Sequence, residues 1–204
     1  MSTAAVAHVE ETSLGQPHLK VGFWTFLGSE CLFFGSLIAT YMSYRGHSVV
    51  GPFPHHGPPH GTGILNIPVT SVSSFVLLTS SLAMVLALAA CQKGERGKAS
   101  FWLGMTALFG LIFLGFQAFE FTEFYHNGLS LTKNLFGCTF FVLTGFHGAH
   151  VSVGVLWLLS LLVINQREGI PAEHSLKVEV AGLYWHFVDI VWIVIFTLVY
   201  LIPD

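Results

Sequence analysis

Apolar residues run along this chain in five long, nearly unbroken stretches separated by short polar ones. The first covers about Val21 to Tyr44, the second Ile67 to Cys91, the third Ala99 to Tyr125, the fourth Leu135 to Ile164 and the fifth about Val180 to Ile202. Crossing a hydrocarbon core takes roughly 20 helical residues, and each stretch is long enough. Membrane β-strands would instead alternate apolar and polar positions over about ten residues. The pattern therefore predicts an all-α integral membrane protein, a bundle of five transmembrane helices. Residues 1–20 form a polar tail, and residues 21–204 form the membrane domain.

Composition supports this reading. Of 204 residues, 53% are hydrophobic and only 9% charged, too few charges to cover a water-facing surface. The net charge of −3, with no basic stripe, excludes nucleic acid as a partner. The tail lacks a basic segment followed by an apolar core, so no cleavable signal peptide is expected and the first helix serves as insertion signal. Between the first two stretches lies Gly-Pro-Phe-Pro-His-His-Gly-Pro-Pro-His-Gly, which cannot be helical. Its His55, His56 and His60 read as part of a solvated loop. Cys31, Cys91 and Cys138 form no CxxC pair and read as small buried hydrophobes.

Lys and Arg set the orientation. With the N-terminus in the cytoplasm, Lys20, Lys93, Arg96, Lys98, Arg167 and Lys177 lie inside and only Arg45 and Lys133 outside. The C-terminus then lies outside.

Titratable residues inside a span are costly, so each is a functional candidate. Glu30 sits roughly 14 Å into the first helix at 1.5 Å per residue. His147 and His150 lie near the middle of the fourth, and His186 and Asp189 in the inner half of the fifth. Counted by depth, Glu30, His150 and Asp189 reach a similar level. They are expected to form one polar layer with His147 or His150 and with His186. Glu120 and Glu123, with Gln117 a turn before, lie nearer the outer end of the third helix and read as structural polar residues.

Three chemistries compete for these side chains. Glu123 and His126 make one Glu-x-x-His sequence, but a di-metal bundle needs two such motifs and two further carboxylates. Paired histidines such as His150 and His186 could hold a haem. Otherwise acids and histidines join helices by hydrogen bonds, while small residues let the helices approach. Gly145 with Ala149, and Gly148 with Ser152, are small-xxx-small pairs of that kind. The third reading carries most weight, and no metal site is expected. No phosphate loop, nucleophile elbow or zinc motif is present, so no catalytic residue is assigned.

Four strings point to a family. Tyr184-Trp185-His186-Phe187-Val188-Asp189-Ile190-Val191-Trp192 closely resembles the YWHFVDVVW signature of cytochrome c oxidase subunit III. Thr144 to Val151 resembles its TGFHGxHV segment, Ser29 to Phe34 its SEVLFF segment, and Gln117 to Glu123 its QAxExxE segment. They occur in the family's order. The chain is similar to the five-helix bacterial form, lacking the two N-terminal helices of seven-helix members.

The resemblance implies a multi-pass protein of the bacterial plasma membrane that carries no redox centre itself. Haem and copper would belong to partner subunits. Its partners would be the catalytic subunit I, subunit II and other oxidase subunits. It would bind phospholipid near Glu30, support proton uptake and lengthen the life of the complex during turnover. Cytochrome c is the expected electron donor to this proton-pumping oxidase of aerobic respiration. Alternatives are subunit III of a quinol oxidase, a haem-binding membrane anchor or a small proton-coupled transporter subunit.

Overall fold

The computed structural model describes residues 17–48, 51 and 65–202. The proline- and histidine-rich loop, most of the N-terminal tail and the last two residues lie outside the described residues.

Five helices are long and apolar enough to cross a membrane. They are α1 (His18–Tyr44), α2 (Ile67–Gln92), α3 (Arg96–His126), α4 (Leu135–Arg167) and α5 (Leu176–Phe196). A 3₁₀ turn, Ala172–His174, precedes α5, and a π turn, Thr197–Leu201, continues it. Local chemistry marks the ends. Asn66 and Asn134 cap α2 and α4, with Asn134 Oδ1 accepting from the Gly137 amide at 2.7 Å. After α2 the chain reverses within a few residues, at Gly94 with φ 70°, a left-handed conformation that glycine adopts without strain.

All five helices run beyond their apolar stretches at one end at least. Thus α5 begins at Leu176 rather than Val180, because its first turn carries Lys177 and Glu179 and hydropathy does not mark it. Likewise α3 starts at Arg96 rather than Ala99, and α4 ends at Arg167 rather than Ile164. One side chain explains both ends. Arg96 Nε donates to the Asn165 carbonyl at 2.7 Å and Nη2 donates to the Gln166 carbonyl. These are carbonyls that the last turn of a helix leaves without internal partners, where a cation is favourable. Asn165 answers by donating to Ser100 Oγ at 2.8 Å and accepting from the Ile170 amide at 3.0 Å.

The seams are α2 with α3 and α5, α3 with α4, α4 with α5, and α1 against α4 and α5. At the centre stand Trp185 and Trp192 of α5, both fully buried. Their indole N–H groups donate to Ser80 and Ser74 of α2, each at 2.8 Å. Gly110 of α3 and Gly154 of α4 make room for Trp185. A Cβ at Gly110 would come within 2.6 Å of its ring, and one at Gly154 within 2.9 Å.

Of the two expected small-residue pairs, Gly148 does meet a neighbour, the Gln117 side chain, whereas nothing lies within 4 Å of a Cβ on Gly145. Among the cysteines only Cys91 is buried. Cys31 and Cys138 are exposed, correcting the expectation of burial, because they lie on outward faces of α1 and α4.

Helix α1 is the most open of the five, with only Leu27, Phe34 and Tyr41 buried. Ties near its two ends hold it. Lys20 pairs with Glu179 of α5, Arg45 donates to the Ile202 carbonyl, and Ser48 Oγ accepts from the Phe136 amide at 3.0 Å.

Gly110→Ala is expected to destabilise the fold by about 1–3 kcal/mol, since Trp185 must move in a full core. Gly115→Ala, with nothing within 4 Å of the new methyl group, should be silent. Thermal unfolding of the solubilised protein measures both, and equal midpoints would contradict this account of Trp185.

Candidate functional site

Glu30 of α1 and His150 of α4 form a pair. Glu30 Oε2 lies 3.1 Å from His150 Nε2, with both side chains 19% exposed. The other ring nitrogen, Nδ1, lies 2.8 Å from the Phe146 carbonyl. A carbonyl only accepts, so Nδ1 carries a proton and donates. One further proton then joins Nε2 and the carboxyl, whichever of the two owns it. Tyr184 donates its hydroxyl to the His150 carbonyl at 3.0 Å, fixing α5 against this turn. His150 also lines an almost wholly apolar groove of about 630 Å³, together with Phe23, Phe26, Phe146, Trp157 and Tyr184 among others.

A second cluster joins α2 and α5. Ser81 Oγ donates to Asp189 Oδ2 at 2.6 Å and lies 3.1 Å from His186 Nδ1, which donates to it in turn. The result is a directed chain from imidazole through hydroxyl to carboxyl. Such chains polarise their members cooperatively.

Glu120 forms a third. It is 3% exposed and hydrogen-bonded to Thr70 Oγ1, whose single proton is shared between Glu120 and the Asn66 carbonyl 3.0 Å away. Tyr200, carried on the π turn, sits beside Thr70 and Glu120. Glu123 is only half-buried, so the two acids divide between core and surface.

The expected single polar layer is thus divided. Glu30 meets His150, and His186 meets Asp189 through Ser81. No hydrogen bond among the described residues links the two pairs. His147 belongs to neither. It is fully buried, stacks on Trp192 at 4.9 Å and has no hydrogen-bond partner on either nitrogen. Gln117 spans to α4, its Nε2 donating to the Thr144 carbonyl at 2.7 Å.

The hydroxyl residues of α2 were missed. Thr70, Ser74, Ser80 and Ser81 supply the partners of Glu120, Trp192, Trp185 and Asp189. Their signal was present, as small hydroxyl residues recurring along a helix that has no charge. Among the described residues no group of three or more His, Cys, Asp or Glu is placed to hold a metal ion. His150 and His186 hydrogen-bond to different partners, His150 to Glu30 and the Phe146 carbonyl and His186 to Ser81.

Comparison with known proteins decides the family. Residues 1–203 match the family model described as Cytochrome c oxidase subunit III. The chain belongs to that family. It is 40% identical over 181 residues to cytochrome c oxidase subunit 3 of Bacillus sp. (strain PS3), covering 89% of this chain and 84% of the relative. The Bacillus subtilis protein of the same name is 38% identical over 196 residues, covering 96% and 91%. Cytochrome bo(3) ubiquinol oxidase subunit 3 of Pseudomonas aeruginosa is also 38% identical, covering 88% and 83%. The chain is therefore subunit III of a haem-copper oxidase, a multi-pass plasma-membrane protein whose partners are the other oxidase subunits. The enzyme is the complex.

Ser81→Ala would leave both the Asp189 carboxyl and the His186 N–H without their partner. Stability should fall by about 1–3 kcal/mol, the usual cost of an unmet buried polar group. The midpoint for release of subunit III from the purified oxidase reports it. Ser71→Ala, at an exposed hydroxyl bonded only to its own helix, is the control.

Proposed function

We propose that this subunit serves a proton-pumping cytochrome c oxidase of the aerobic respiratory chain. It contributes no redox centre. It packs against the catalytic subunit I, where haem and copper reside with subunit II beside them, and supports proton uptake and turnover lifetime. The N-terminus lies in the cytoplasm and the C-terminus outside, as the six-to-two distribution of basic residues requires.

One observation carries the functional part: the half-buried Glu30–His150 pair, whose His150 lines the apolar groove. A phospholipid acyl chain suits such a groove. An acid paired with a histidine in lipid can hold and pass a single proton without exposing net charge. His186 with Asp189, and the unpartnered His147, are further polar candidates. Gln117, Glu120 and Glu123 serve structure.

Glu30→Gln keeps the shape of the side chain but removes its proton. It is expected to lower protons pumped per electron and to shorten the active life of the purified oxidase several-fold. Unchanged pumping and unchanged lifetime together would reduce Glu30 to a packing residue.

A quinol oxidase is the second reading, favoured by the Pseudomonas aeruginosa relative and its printed name. The Gly145-Phe146-His147 and Tyr184-Trp185 variants support the cytochrome c branch. Oxygen uptake by the purified complex separates the two: brisk turnover with reduced cytochrome c and little with a quinol supports the first, and the reverse pattern replaces it.

A further inference from the structure

His186 stands at mid-span. Counted from Leu176, where α5 begins, it lies roughly 15 Å along a helix that crosses a core about 30 Å thick. Its ring is half-buried, and Nδ1 is 3.1 Å from Ser81 Oγ. Ser81 spends its one proton on Asp189 Oδ2 at 2.6 Å, so Nδ1 is the donor in that contact. In the neutral ring Nε2 is then an acceptor. Among the described residues no protein group bonds to Nε2. Nor is it one of the enclosed polar atoms that lack a partner, which are Gln117 Oε1, both His147 nitrogens and Asp189 Oδ1. Nε2 therefore opens onto the outside of the subunit.

The face around it is apolar. Ile190 and Ile193 follow His186 along one side of α5, and Leu78, Leu82 and Val85 flank Ser81 on α2, all of them exposed. Other polar side chains at the surface of the spans bond to their own helix, as Ser71 and Thr79 do on α2, or to each other, as Glu30 and His150 do. His186 Nε2 does neither. Lipid tails carry no donor, and the hydrocarbon core holds no water to supply one. An acceptor left bare at this depth is costly.

We infer that the α2–α5 face seats a transmembrane helix of a partner oxidase subunit, and that this helix donates a hydrogen bond to His186 Nε2. The inference rests on the reading of the chain as one subunit of an oxidase complex. The chemistry of the partner follows from the face. It is an apolar helix that lies along Ile190, Ile193 and Leu82 and carries a hydroxyl, amide or indole donor at mid-span. Lipid suits the apolar stripes but leaves the nitrogen unmet. The contact also gives the His186–Ser81–Asp189 chain a purpose, since the bond at Nδ1 fixes the tautomer and turns the lone pair of Nε2 outward.

Photo-crosslinking in the purified, haem-containing oxidase tests this. Ile190, 60% exposed and one turn from His186, is replaced by p-benzoylphenylalanine, and the adducts are mapped by mass spectrometry. The expected product joins subunit III to a transmembrane peptide of another subunit. Adducts with phospholipid alone, or with a second copy of this chain, overturn the inference while leaving the oxidase reading intact. Failure of the chain to copurify with haem proteins overturns both. The hydrogen bond has its own test in a Ser81→Ala background, where the internal bond is already gone. There His186→Leu should speed release of subunit III from the oxidase several-fold, whereas His186→Gln, which keeps an acceptor, should not. Equal release rates in the three variants overturn the bond to Nε2. If those variants do not assemble, the crosslink, made with His186 and Ser81 in place, still decides the docking face.

Discussion

Hydrocarbon offers no hydrogen-bond partner, and the whole arrangement follows from that constraint. Most polar groups in the spans are met from within the protein, whereas both His147 nitrogens, Gln117 Oε1 and Asp189 Oδ1 have no protein partner. Exposed hydroxyls solve the problem locally, as when Thr25 donates to the Val21 carbonyl and Ser43 to that of Ala39. Buried ones solve it between helices. The stripe on α2 that carries Ser74, Ser80 and Ser81 faces α5, and there it receives two indoles and completes a histidine–serine–carboxyl chain. Once α5 is fixed on α2, its two tryptophans set where α3 and α4 can approach, through Gly110 and Gly154.

Helix α1 stands apart from this core. It is pinned near its two ends and has its only carboxyl, Glu30, paired across to His150 near mid-span. An element held in this way can carry a functional acid without disturbing the serine and tryptophan core. The apolar groove lies along the same α1–α4 face as the Glu30–His150 pair.

Much of this was legible in the chain. Five apolar runs against 9% charge leave no soluble solution, and the helices found differ from those runs mainly where polar ends extend beyond the apolar stretch. The residues worth watching were also legible, because Glu30, His147, His150, His186 and Asp189 are costly in a span. Their grouping was not. His147 and His150 are three residues apart, and either one was expected to join the polar layer. Three residues on a helix differ by about 60° around the axis, since each advances about 100°. In α4 that angle separates a side chain facing α1 from one facing the tryptophan of α5.

Sequence alone determined the number of spans, the family and the set of polar residues that needed an explanation. These follow from hydropathy, composition and strings of specific side chains, all of which are properties of a linear chain. Tertiary structure decided the partners: Glu30 with His150, Asp189 with His186 through an unflagged Ser81, Glu120 with Thr70, and His147 with none. The reason is physical. A serine on an uncharged apolar helix costs little and so leaves no mark in hydropathy. It becomes decisive only when a neighbouring helix presents a donor or a carboxyl to it, and which neighbour that is depends on rotation and packing that no single segment contains.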